Sequence, residues 1–182
     1  GILGMNMMFS CMFGVGYVVV RYRKNGFLKR LSATPLSSFE FIAAQVSSRM
    51  VLILCITAFV YTGTHLSLDT SMEGSYFTLF LVAAVGAISM VSLGLIISAW
   101  ATSEELAVGL LNLINWPMML LSGVWFSLEG AGPALQNIAK VFPLTHVLNS
   151  ARAVMLDGAT IADVAPNLIA LTLLSVVFIG VG

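Results

Sequence analysis

Three groups of polar residues have types and spacings that could do chemistry. His65 and Asp69 stand four apart, with Glu73 four further on, a spacing that puts ligating side chains on one helix face. Gly74 and the surrounding Ser and Thr residues instead suggest a loop, and no further ligand stands at a suitable distance along the chain. His146, Arg152 and Asp157 offer a base, a cation and a carboxylate, but a hydrolytic site also needs a nucleophile activated by a base that a third group holds. Neither G-x-S-x-G nor H-E-x-x-H occurs anywhere. Arg152 reads more simply as pairing with Asp157 or reaching to a membrane interface. Asn112 and Asn115 share a helix face, with Pro117 just beyond. Buried amides in lipid need partners, so this pair reads first as packing between helices and second as contacts along a polar pathway. The expectation is a protein that is not an enzyme.

The elements that must position these residues are apolar. The chain has 182 residues, 59% hydrophobic and 9% charged, where soluble domains carry roughly 25% charged residues. Apolar runs recur that would each reach ~30 Å as helices, the thickness of a bilayer core. The expected fold class is therefore all-α, a polytopic transmembrane bundle. With zero formal net charge and no long basic patch, the chain has no footprint for a nucleic-acid partner. Cys11 and Cys55 lie within apolar runs and read as small hydrophobes. A P-loop is excluded because no Gly-Lys dipeptide is present, so any ATP must be bound by another polypeptide or domain. Gly at position 1 and hydrophobic residues at both ends read as a piece of a longer protein.

Placement of charge orders the spans. Five of the eight basic residues fall in Arg21 to Arg30, directly after an uncharged run from Gly1 to Val20, which predicts a cytoplasmic exit there. Gly4, Gly14 and Gly16 would let this first helix approach its neighbours. Ser37 and Glu40 form a capping box with Leu36 and Phe41 as a hydrophobic staple. The next helix should start near Ser38 and run to about Gly63, with Arg49 about 16 Å along it and snorkelling to the headgroups. Thr64 to Ser75 reads as an external loop, and Tyr76 to Thr102 as a span with Gly94 and Ser98 at small-xxx-small spacing. Thr102 and Glu105 suggest a second capping box, and Pro117 a kink within the following span. Pro133 should open a short amphipathic helix bearing Leu135, Ile138, Ala139 and Phe142 on one face, and a second piece should run from about Leu144 to Leu156. The expected spans are 1–20, about 41–63, 76–102, 106–126 and 167 onward, in one membrane domain over 1–182. Within it, about 21–40 forms a cytoplasmic loop and about 127–166 an outer helical hairpin.

Two stretches carry a family likeness. RKNGFLKRLSATPLSSFEF, Arg23 to Phe41, resembles the cytoplasmic loop between the second and third spans of the ABC-2 type permeases. LSGVWFSLEGAGPALQNIAKVFPLTHVLNSAR, Leu121 to Arg152, is similar to their outer segment before the sixth span. Members commonly carry Pro where this chain has Ser127, and the Glu129 to Pro133 spacing is slightly long. The resemblance implies a permease that exports substrate, pairs with a second permease copy, and couples to an ATP-binding-cassette ATPase subunit or domain, which holds the only cofactor, ATP. It implies residence among the lipids of a bacterial inner membrane; the pathway or interface role of Asn112, Asn115 and Pro117 is read from the residues themselves. It further implies a coupling helix over Gly26, Phe27, Leu28, Lys29, Arg30 and Leu31. Phe27, Leu28 and Leu31 would supply its apolar anchor, and Lys24, Lys29 and Arg30 its contacts to acidic surface or headgroups. The alternative is a non-ABC membrane scaffold or channel whose basic loop only fixes topology.

Overall fold

A computed structural model describes residues 1–68, 74–126 and 130–181, apart from the side chains of Ser38, Thr64, His65, Ser67 and Leu68. These residues form an all-α bundle. The first span is continuous from Ile2 to Lys24 and consists of α1 (Ile2–Met12), a π turn (Phe13–Tyr17) and α2 (Val18–Lys24). The π turn holds Gly14 and Gly16, whose weak helix preference tolerates the wider winding. Arg21, Arg23 and Lys24 occupy the last turn of α2, where the helix dipole favours cations. Gly26, at φ 68°, reverses the chain into the five-residue α3 (Phe27–Leu31).

The capping box at Ser37 forms as the sequence predicts. Its backbone N–H donates to Glu40 Oε2 at 2.7 Å, and the Glu40 N–H donates to Ser37 Oγ at 3.2 Å. The staple does not form from Leu36, which is exposed; Phe41 turns instead to aromatic partners described below. Helix α4 (Ser38–Leu68) runs on past Gly63, into the segment expected to be a loop. Asp69 and Glu73, and the His65 side chain, lie outside the described residues.

Helix α5 (Tyr76–Trp100) is the centre of the bundle and packs against α1, the π turn, α4, α8 (Pro143–Leu156) and α9 (Ile161–Val181). Small residues make this possible. Backbones of the first span and α5 meet at Gly94, where an added Cβ would lie 3.1 Å from the Met12 carbonyl oxygen, and at Gly16, where it would lie 3.0 Å from the Gly94 oxygen. Around this crossing the core is filled by Met8, Met12, Met90, Leu111, Met118, Leu144 and Leu171, all fully buried. Flexible methionines suit such an irregular interior.

Helix α6 (Glu104–Leu121) is capped by Ser103, not Thr102: the Ser103 hydroxyl accepts from the Leu106 N–H at 3.1 Å. It continues through Pro117 and stops at Leu121, short of the expected Phe126. Four described helices are long and apolar enough to cross a membrane, over 2–24, 39–63, 76–100 and 161–181. With Glu104, Glu105, Asn112 and Asn115 in 18 residues, ~27 Å of helix, α6 is not one of them, against the five spans the sequence suggests.

Helix α7 (Pro133–Ala139) opens on Pro133 as expected, and α8 follows at Pro143 and ends before Gly158, whose φ is 61°. Helix α8 buries Leu144, Val147, Leu148 and Val154 against α5 and α9. The last helix opens at Ile161 rather than Asn167. A third capping box explains the difference, since the Thr160 N–H and hydroxyl both donate to Asp163 Oδ2, at 2.8 and 2.7 Å. That box is T-x-x-D rather than T-x-x-E, and Pro166 lies inside the helix it starts.

Candidate functional site

The basic end of the bundle gathers five of the eight basic residues, Arg21, Arg23, Lys24, Lys29 and Arg30. Tyr22 of α2, Phe27 of α3 and Phe41 of α4 form a three-ring cluster, with centroids 4.8 Å apart for Tyr22–Phe27, 5.9 Å for Tyr22–Phe41 and 6.4 Å for Phe27–Phe41. Offset and edge contacts of this kind add about 0.5–1.5 kcal/mol each to the area they bury. Phe27 therefore seats α3 on its own chain. Leu28 and Leu31 remain half-buried, while Lys29 and Arg30 are exposed, so α3 keeps an apolar and basic outer surface.

A second set of contacts links the same end to the turn between α5 and α6. The Arg23 guanidinium donates to the Ala101 carbonyl, which the end of α5 leaves free. The Tyr17 hydroxyl donates to Glu104 Oε2 at 2.8 Å. Glu105, beside it, is held below the usual carboxylate pKa by its own backbone N–H, by the Ser103 hydroxyl and by the charge of Lys24. The acidic turn that carries no cation of its own thus takes its counter-charges from the first span. No local pattern reveals this, because Tyr17 and Glu104 are 87 positions apart and Arg23 and Ala101 are 78.

Arg49 does not reach back to the headgroups. Its Nη2 donates to the Gly14 carbonyl at 3.3 Å, within the π turn. A Cβ on Gly14 would lie 2.5 Å from Arg49 Nε and Cζ, so the guanidinium would have to shift if Gly14 carried a side chain. The π turn locally changes the helical hydrogen-bond pattern of the first span, and the arginine donates to a carbonyl within it. A pair of glycines in an otherwise bulky apolar run is the only trace of this in the sequence.

Asn115 is 1% exposed, and neither atom of its amide has a hydrogen-bond partner among the described residues. Asn112, on the same helix, is half-buried and Pro117 is exposed. The pair is therefore not one polar surface, and only Asn115 points into the bundle. His146 and Arg152 are not brought together with Asp157 into a hydrolytic cluster. His146 Nε2 lies 2.8 Å from the Lys140 carbonyl and Nδ1 lies 3.0 Å from Asn167 Oδ1, which ties α8 to the end of α7 and to α9. Arg152 donates to the Gly123 carbonyl at 2.6 Å, closing the turn after α6 onto α8.

Comparison with known proteins supplies the context for these contacts. The family model described as ABC-2 type transporter matches residues 1–156. The chain is 26% identical over 157 residues to the inner membrane transport permease YhhJ of Escherichia coli, covering 86% of this chain and 42% of that protein. It is 35% identical over 94 residues to nodulation protein J of Neorhizobium galegae, covering 52% of this chain and 36% of that protein. It is 25% identical over 144 residues to the probable multidrug ABC transporter permease YbhR of Escherichia coli, covering 79% of this chain and 39% of that protein. No solved structure matches. The chain spans less than half the length of these relatives, but the family match covers most of it and its apolar helices satisfy the family's central requirement: it is a membrane protein belonging to the ABC-2 type transporter family.

Proposed function

We propose that the chain is the membrane-spanning permease part of an ATP-binding-cassette exporter in a bacterial inner membrane, moving substrate with ATP hydrolysed by a partner ATPase subunit or domain. In this reading it performs no covalent chemistry, works beside a second permease copy, and uses Gly26 to Leu31 as the coupling helix.

One observation favours coupling over a loop that merely fixes topology. Helix α3 is not suspended on a free linker: the Tyr22–Phe27–Phe41 cluster seats it on α2 and α4, and Arg23 and Tyr17 tie that end of the first span to the α5–α6 turn. Force applied to α3 by a partner would thus reach the core helix. Leu28 and Leu31 would bind an apolar recess of the ATPase, and Lys29 and Arg30 its acidic rim. Asn112, Asn115 and Pro117 would line the pathway or an interface between helices.

The test is co-purification of the full protein with an ATPase and ATP-dependent flux in proteoliposomes. Leu28→Glu and Leu31→Glu should leave membrane insertion intact while separating hydrolysis from transport. Normal flux in both variants, or no ATPase in the purified complex, would return the basic loop to a topological role.

A further inference from the structure

The end of the bundle opposite the basic stretch holds a cavity of about 540 Å³ between α1, α4, α5 and α8. This is the size of a small-molecule site, and neither α3 nor Asn115 takes part in it. Its walls are mainly aliphatic, and it extends along α1 from Ile2 to Ser10, about 12 Å at the helical rise. Among the described residues, Arg152 is the only charged side chain that lines it. One of the five guanidinium N–H donors is used by the Gly123 carbonyl, which leaves others for a ligand. Tyr61 lines the same space, and its hydroxyl is buried without a hydrogen-bond partner among the described residues. Its ring is held edge-on against Tyr76 at 5.9 Å. An apolar volume with one cation and an unsatisfied hydroxyl is complementary to one chemical class: hydrocarbon below, ester or phosphate oxygens at the Tyr61 hydroxyl and the Arg152 guanidinium.

We propose that this cavity binds an anionic phospholipid from the surrounding bilayer, with the acyl chain among α1, α4 and α5 and the phosphate on Arg152. The planar guanidinium selects phosphate in a way that the aliphatic walls cannot. The hydroxyl of Tyr61 accounts for a polar atom that the chain itself leaves unpaired.

The experiment uses the full protein reconstituted in nanodiscs that contain a photoreactive phosphatidylglycerol or a diacylglycerol with the same photoreactive acyl chain and no phosphate. Cross-links are mapped by peptide mass spectrometry. Phosphatidylglycerol should label α1, α4 and α8 roughly tenfold more than diacylglycerol, the ratio expected for loss of one charge-assisted contact. Arg152→Gln should bring the two lipids to parity, and Arg152→Lys should keep part of the preference. Filling the space with Ala83→Phe, or more gently with Ala151→Leu, should remove label from both lipids. Equal labelling by the two lipids in the unaltered protein would overturn the headgroup assignment. Labelling that ignores Ala151→Leu, or no labelling of these helices because another part of the protein fills the space, would overturn the site. Each of these outcomes can occur whether or not α3 couples to an ATPase.

Discussion

Helices α4 and α5 look interchangeable as sequences and occupy opposite environments. Each offers a 25-residue stretch apolar enough to span a membrane, yet within an 18-residue window of each, 56% of α5 is buried by the rest of the chain and only 6% of α4. Helix α5 carries Ala83, Gly86, Ala87, Ser89, Gly94 and Ser98 at buried positions, whereas α4 presents Val51, Leu52, Ile56 and Phe59 outward. In lipid, large apolar side chains gain little from leaving hydrocarbon for protein, so association follows close backbone approach instead. Small residues, not hydrophobicity, select the central helix.

That contrast can be broken by substitution. The largest effect should come from Gly94→Val on α5. Its Cβ would stand 3.1 Å from the Met12 oxygen and 3.3 Å from the Met12 Cα, and because backbone cannot yield as a side-chain end can, a loss of about 3 kcal/mol is expected. Thermal unfolding in detergent would measure it, and an unchanged midpoint would refute the account of α5 as a close-packed centre. Next should be Arg49→Ala, which removes the one polar tether between α4 and the first span named here. It deletes that hydrogen bond, at a cost of about 1 kcal/mol, and Arg49→Lys should recover part of it. A null result for Arg49→Ala would mean that the arginine is held by lipid rather than by the π turn.

A smaller effect is expected for Tyr17→Phe, which deletes the hydrogen bond to Glu104. If the proposed coupling route is right, this variant should weaken the response of transport to ATP more than it lowers stability. Smallest of all should be Phe59→Ala on α4, 80% exposed on the outer face, with a change within about 0.5 kcal/mol. A cost above 2 kcal/mol there would indicate that α4 packs against another helix in the assembled protein, and would erase the contrast with α5.

Local chemistry was legible from the residues. The Ser37–Glu40 box and the helix opening at Pro133 both depend on groups within four residues of one another, so sequence neighbours suffice to predict them. Misreadings were local too: Ser103 and Thr102 are adjacent candidates for one cap, and Thr160–Asp163 uses the shorter carboxylate. The candidate site was less legible. Positive charge marked Arg21 to Arg30 as important, but not that Phe27, still 41% exposed, would pack on Tyr22 and Phe41, nor that Glu104 and Glu105 would face Tyr17 and Lys24. Arg49 was misassigned because snorkelling is the default for an arginine near a helix end, and only the π turn at Gly14 offers it a closer acceptor.

Composition and spacing by themselves determined that this chain is a helical membrane protein and where most of its helices begin, since bilayer thickness and capping geometry act on contiguous residues; the family likeness rested on the particular residues of Arg23 to Phe41 and Leu121 to Arg152. Only the tertiary structure decided which helix lies at the centre, where Arg49 and Arg152 find their partners, and that a cavity opens beside Arg152. Those outcomes depend on how closely backbones far apart in the chain can approach. That distance is set by side-chain volumes on two helices at once, which no single stretch of sequence contains.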